Sequence, residues 1–180
     1  MPTDPEIERL RPEKLPKDFY RFLVVDDEPV ARSLLRSILQ THGYTSVFEA
    51  PDGAAALAAL RGSEFHVVLL DKNMPMLDGM EVLREGKKLR PWAEFIMITA
   101  YGSMESAIQA MDMGAFSYVT KPFSEIEIIL RRIEGAVERV ALRNENEVLL
   151  DRLRMVIRDL ERTEGELRSL IPAQPGRKPA

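Results

Sequence analysis

The sequence predicts an α/β domain: five strands in a doubly wound parallel sheet, with helices on both faces. Three observations predict it. Short apolar runs alternate with stretches of helical periodicity along the first two thirds of the chain, the pattern of repeated strand–helix units. The apolar runs are nearly continuous, as strands covered on both faces require. Polar residues stand at the carboxyl ends of these runs, where open sheets of this kind bind their ligands.

Residues 1–20 are rich in Pro and charge and read as a loosely ordered arm. Phe22-Leu23-Val24-Val25 is the first strand and runs into Asp26-Asp27-Glu28. Pro29 suits the first turn of a helix, and Ala31, Leu34, Leu35, Ile38 and Leu39 keep helical spacing up to the stop at His42-Gly43. Thr45–Glu49 reads as the second strand, and Asp52-Gly53 turns the chain into an Ala-rich helix, Ala54–Leu60. Phe65–Leu70 is the third strand and ends at Asp71; Met80–Leu89 is the third helix. Glu94–Ile98, ending at Thr99, is the fourth strand, followed by a helix over Ser103–Met113 that Gly114 stops. Ala115–Val119 is the fifth strand, closed by Thr120-Lys121-Pro122, and Ser124 caps a last helix. The crossovers are expected to be right-handed.

Composition narrows the function. The 180 residues carry a net charge of −4, which disfavours nucleic acid as a direct partner, because phosphate backbones are bound by clustered Lys and Arg. There is no cysteine, so thiol catalysis, disulfides and cysteine metal sites are excluded. No apolar run approaches the roughly 20 residues that span a bilayer, and the N-terminal stretch has no apolar signal core. A cytoplasmic protein is expected.

The polar strand ends are Asp26 and Asp27 on the first strand, Asp71 on the third, Thr99 on the fourth and Lys121 on the fifth. Three carboxylates brought together repel one another unless a divalent cation shares them. An oxygen-only donor set without His or Cys favours Mg²⁺, which works beside phosphate. A lysine supplies a point charge for a phosphoryl oxygen, a threonine hydroxyl can donate to another, and a carboxylate can serve as covalent nucleophile. The set suits phosphoryl transfer to a carboxylate, where positioning and charge neutralisation carry the catalysis. His42 and His66 lie far from metal-ligand spacing and read as core or surface histidines; Met74, Met76 and Met80 read as loop and packing residues.

Four stretches resemble the response-regulator receivers of two-component signalling: Leu23-Val24-Val25-Asp26-Asp27-Glu28, Leu69-Leu70-Asp71-Lys72-Asn73-Met74-Pro75 with Asp78-Gly79, Ile98-Thr99-Ala100, and Tyr118-Val119-Thr120-Lys121-Pro122-Phe123. The resemblance covers roughly residues 20–140 and implies a flavodoxin-like sheet of order 2-1-3-4-5. It implies that Asp71 is the phosphoacceptor, and that Asp27, Asp71 and the backbone carbonyl of Asn73 ligate Mg²⁺ directly, with Asp26 holding it mainly through water. Lys121 would contact the phosphoryl group, Thr99 would turn toward it, and Tyr118 would be the switch aromatic that moves inward as Thr99 moves. The Lys121–Pro122 peptide would be cis. Tyr101, two residues after Thr99, is placed to hinder attacking water. The implied partner is a histidine kinase or phosphotransfer protein.

Helical periodicity then continues without Pro from Ser124 to about Leu170, about 70 Å at 1.5 Å per residue. Leu142, Asn146, Leu149, Leu153, Val156, Leu160, Thr163, Leu167 and Leu170 step by 4 and 3 in alternation, a heptad seam with Asn146 at an a position, where one buried Asn favours a parallel pair in register. Leu150 and Ile157 at e positions widen the stripe. The reading is a receiver over 21–140, a coiled-coil extension over 141–171 forming a parallel homodimer through 142–170, and a Pro-rich disordered tail over 172–180. A helix folded back on its own receiver and a partner's helix are the alternatives. Output through this helix suits a switch rather than an enzyme, either free-standing or as the N-terminal regulatory part of a larger transcription activator. An Mg²⁺-dependent phosphatase with an aspartate nucleophile is the rival, but it needs a second Asp where Asn73 stands. A flavin binder needs a hydroxyl- and Gly-rich loop where Asp26-Asp27-Glu28 stands.

Overall fold

The computed structural model describes residues 15–122 and 126–170. A single 3-10 turn, Lys17–Phe19, precedes β1 (Phe22–Val25), α1 (Pro29–Thr41), β2 (Val47–Ala50), α2 (Gly53–Gly62), β3 (Val67–Asp71), α3 (Gly79–Leu89), β4 (Glu94–Thr99), α4 (Met104–Asp112), β5 (Ser117–Thr120) and α5 (Ile126–Leu170). Every strand pairing is parallel, and the order across the sheet is β2-β1-β3-β4-β5, as the resemblance implies.

Side chains alternate across the pleat, so each apolar strand feeds two cores. Leu23, Val25, Val68, Leu70, Phe95 and Met97 face the core built with Leu57 and Leu60 of α2, Val82 and Leu83 of α3 and Ala110 of α4. Phe22, Val24, Leu69, Ile96 and Ile98 face the opposite core, with Leu35 and Leu39 of α1 and Ile129, Ile133 and Ala136 of α5. Burial on both sides is why these strands read as unbroken apolar runs.

Local signals set the helix starts. Pro29 occupies the first turn of α1. Asp52, Asp78 and Ser103 each accept a backbone N–H in the first turn of the helix they precede. Three strands start two residues later than their sequence-based bounds, β3 among them, at Val67. β2 starts at Val47 because the Val47 amide is turned back to the Thr45 carbonyl at 3.0 Å. β5 starts at Ser117 because the Ala115 amide closes the end of α4 on the Ala110 carbonyl at 2.9 Å. The expected Ser124 cap lies outside the described residues.

The described residues through Ala141 make one compact unit and those from Leu142 a second. In the second, Leu142, Leu149, Leu153, Val156, Leu160 and Leu167 are 44 to 64% exposed. No described helix is long and apolar enough to cross a membrane.

Candidate functional site

Strand register gathers the site. Val25 pairs with Leu70, Asp71 with Ile98, and Thr99 with Thr120, so Asp26, Asp71, Thr99 and Lys121 follow one another across the carboxyl edge of four adjoining strands. Asp26 and Asp71 are buried, at 1% and 4% exposure. The Lys121 ammonium lies 2.6 Å from Asp26 Oδ2 and 2.8 Å from Asp71 Oδ1. The Asn73 amide donates to Asp71 Oδ2 at 2.7 Å, and its side-chain nitrogen donates to Thr99 Oγ1 at 3.2 Å. The Lys121 backbone N–H donates to the Thr99 carbonyl at 2.6 Å, and the Lys121–Pro122 peptide is cis.

Gly79 lets this edge close. A Cβ there would stand 2.2 Å from the Asp71 carbonyl oxygen and 2.8 Å from Lys72 Cα. Only glycine allows the start of α3 to approach the end of β3 so nearly.

Three sequence-based expectations fare differently in detail. Asp27, directly after the buried Asp26, is exposed. Asp26 and Asp71 meet at the Lys121 ammonium. Tyr101 is 82% exposed, and its backbone engages Thr99, the N–H donating to Oγ1 at 3.1 Å and the carbonyl accepting at 3.2 Å. Tyr118 is half-buried against the core, with its hydroxyl 2.8 Å from Ser106 Oγ.

The profile of the response regulator receiver domain matches residues 22–133, well over half of the chain. The chain belongs to the response regulator receiver family. The transcriptional regulatory protein TcrA of Mycobacterium tuberculosis is 40% identical over 111 residues, 62% of this chain and 44% of TcrA. The transcriptional regulatory protein GlrR of Escherichia coli is 32% identical over 161 residues, 86% of this chain and 36% of GlrR. The chain thus spans less than half the length of these curated relatives. Among solved structures, the CheY-like receiver domain protein of Methanospirillum hungatei aligns with a TM-score of 0.63 at 30% identity, covering 67% of this chain and 95% of that one. A response regulator of Burkholderia pseudomallei, solved with a phosphorylated aspartic acid, a calcium ion and citrate, aligns with a TM-score of 0.59 at 25% identity, covering 79% of this chain and 86% of that one.

Electrostatics in this receiver follow from burial. Removal from water pushes the Asp71 carboxyl above its ordinary range; the hydrogen bond and charge of Lys121 oppose the rise, and the Asp26 charge adds to it. Burial by itself pulls the Lys121 ammonium down, but the hydrogen bonds and charges of Asp26 and Asp71 outweigh it and hold it above the ordinary lysine range.

Two residues of the receiver escaped the sequence reading. Arg32 donates to the Asp26 carbonyl at 2.7 Å while its Nε reaches Glu49 at 3.3 Å, which ties α1 and β2 to the loop carrying Asp26. Ser106 Oγ meets the Tyr118 hydroxyl. A serine three residues after the Ser103 cap was the available signal, but spacing alone could not reveal its tyrosine partner.

Proposed function

We propose that this receiver accepts a phosphoryl group on Asp71 from a phosphohistidine donor, a histidine kinase or phosphotransfer protein, and signals through α5. One observation carries the reading: two buried carboxylates on adjacent strands share a single ammonium, with a threonine hydroxyl on the next strand linked to the same loop through Asn73. In the transfer, an Asp71 carboxylate oxygen attacks phosphorus. The donor's P–N bond breaks, and its electron pair stays on the imidazole nitrogen. Lys121 neutralises charge on the phosphoryl oxygens, and Thr99 leaves its loop partners to donate to one of them.

The donor chemistry fits a hard divalent cation. Asp26, Asp27 and Asp71 outnumber the one ammonium by two negative charges, and the nearby groups offer oxygen only. Asp71, Asp27 and the Asn73 carbonyl would hold Mg²⁺ directly, and Asp26 through water. The bound ion would supply charge neutralisation between the acceptor and the phosphoryl oxygens. The calcium ion and phosphorylated aspartic acid of the Burkholderia pseudomallei protein support this assignment.

Output is assigned to a parallel homodimer of α5 through 142–170. Exposed leucines at the heptad positions support it, since so long an amphipathic helix gains its stability from a partner. The match to GlrR runs over 161 residues, which favours a second reading of the same switch: regulatory part of a larger transcription regulator. Turnover as a phosphatase is disfavoured by Asn73, whose side chain has no acidic proton and is bound to Thr99.

Incubation with acetyl phosphate and Mg²⁺ tests the assignment. Stoichiometric labelling is expected, lost in Asp71→Asn and without EDTA-resistant background. Labelling that survives Asp71→Asn, or multiple turnover on phosphomonoesters, overturns it.

A further inference from the structure

We infer that Ser106 is a positioning residue for Tyr118, holding the ring half-buried before any phosphoryl group arrives. The inference rests on the switch role proposed for Tyr118 and names the group that sets its resting bias. Ser103 and Ser106 form a capping box at the start of α4: the Ser106 amide donates to Ser103 Oγ at 3.1 Å, and the Ser103 amide donates to Ser106 Oγ at 3.2 Å. Ser106 Oγ also lies 3.0 Å from the Ser103 carbonyl and 2.8 Å from the Tyr118 hydroxyl. A serine hydroxyl has one hydrogen and two lone pairs. The Ser103 hydroxyl lies 3.2 Å from Ser106 Oγ as well, so four neighbours share one hydrogen and two lone pairs; the Tyr118 contact is the shortest of them, and either hydroxyl can donate in it. Ser106 is buried, at 9% exposure, so water is poorly placed to take over the Tyr118 contact.

The same segment leads back to the phosphoacceptor edge. A Cβ at Gly102 would come 2.7 Å from Thr120 Cγ2, 3.3 Å from Tyr118 Cε1 and 3.5 Å from Thr99 Cγ2. The loop from Thr99 to Ser103 is therefore seated directly on the Tyr118 ring. Thr99 Oγ1 is bound to the Tyr101 amide at one end of this loop, and the Ser106 hydroxyl holds Tyr118 at the other. Motion of Thr99, of the α4 cap and of Tyr118 is one linked event. Because Ser106 already secures the inward ring, part of the conformational cost of accepting a phosphoryl group is met in the resting chain, and apparent affinity for a phosphoryl mimic follows the population of that state.

The test uses the full chain, beryllofluoride with Mg²⁺ as the mimic, and 3-fluorotyrosine at Tyr118, assigned by its loss in Tyr118→Phe. Ser106→Ala is expected to shift or broaden the Tyr118 fluorine resonance without the mimic, and Ser106→Thr to keep it in place. Ser106→Ala and Tyr118→Phe should each weaken beryllofluoride binding about 3–10-fold, the worth of one hydrogen bond, and the double variant should bind no more weakly than either. Additive losses, or unchanged or tighter binding in Ser106→Ala, overturn the inference. If the parent chain binds no beryllofluoride, the Asp71 reading fails, and the fluorine resonance alone decides: an unmoved resonance in Ser106→Ala removes the anchor, and a moved one keeps it.

Discussion

Asp26 and Asp71 end neighbouring strands and grip one ammonium between them, Lys121 Nζ standing 2.6 Å from the first and 2.8 Å from the second. Each carboxylate depends on that cation for its tolerance of burial, and so does the other's proximity.

Lys121→Met should therefore leave two buried carboxylates uncompensated. The loss is expected to be about 3 kcal/mol, the order seen when one member of a buried ionic cluster is removed. Urea denaturation without divalent cation measures it. Added Mg²⁺ should recover part of the loss, whereas a variant as stable as the parent in EDTA would contradict the picture of a lysine that holds the site together.

Gly79→Ala places a methyl group against backbone that cannot rotate away, 2.2 Å from the Asp71 carbonyl oxygen. Destabilisation of about 2 kcal/mol or more is expected, together with a fall in acetyl phosphate labelling, because the end of β3 must shift to admit it. Thermal melting and labelling of the same sample check both; an unchanged melting temperature would refute the close approach.

In the second unit, Leu153→Asp puts a charge in the centre of the heptad seam and should convert a dimer into monomers by light scattering. Asn146→Leu should do the reverse, raising thermal stability while relaxing the choice of partner number and register. A parent chain that scatters as a monomer at tens of micromolar would remove the dimer proposal while leaving the receiver chemistry untouched.

His66 predicts a pH dependence. Its Nδ1 accepts the Arg21 amide at 2.9 Å, so the neutral ring is the bound form. Burial, foremost, and the Arg21 charge pull its pKa below the ordinary 6.5, against an opposing pull from Glu64. A value lowered in the folded chain means stability that is fully present above 6.5 and lost as the pH falls through the lowered value. His66→Asn, whose side-chain oxygen can take the same N–H, should flatten the decline between neutral pH and 5 by an amount on the order of 1 kcal/mol. A decline of equal slope in both proteins would assign it elsewhere.

Much of the site was legible because it is written at strand ends. Asp26, Asp71, Thr99 and Lys121 could be placed from apolar runs that stop at a polar residue, and parallel register does the rest. Asp26 and Asp27 lie just past the end of β1, the first buried and the second exposed at a bend, a difference that two adjacent aspartates do not announce. Ser106 and Arg32 were not legible in this way. Each acts on a residue brought near by folding, Tyr118 in one case and the Asp26 loop in the other, and helical spacing carries no trace of such a meeting.

The sheet is sealed on both sides by apolar side chains, and its candidate site lies at one rim, on strand ends and the loops that follow them. This separates two kinds of change. Interior substitutions must preserve volume and are read as folding defects. Rim substitutions should leave the fold intact and change the proposed docking and phosphoryl lifetime instead. Grafting the loop of another receiver between Thr99 and Ser103 should therefore yield a folded chain with altered signalling lifetime, making specificity an exchangeable part.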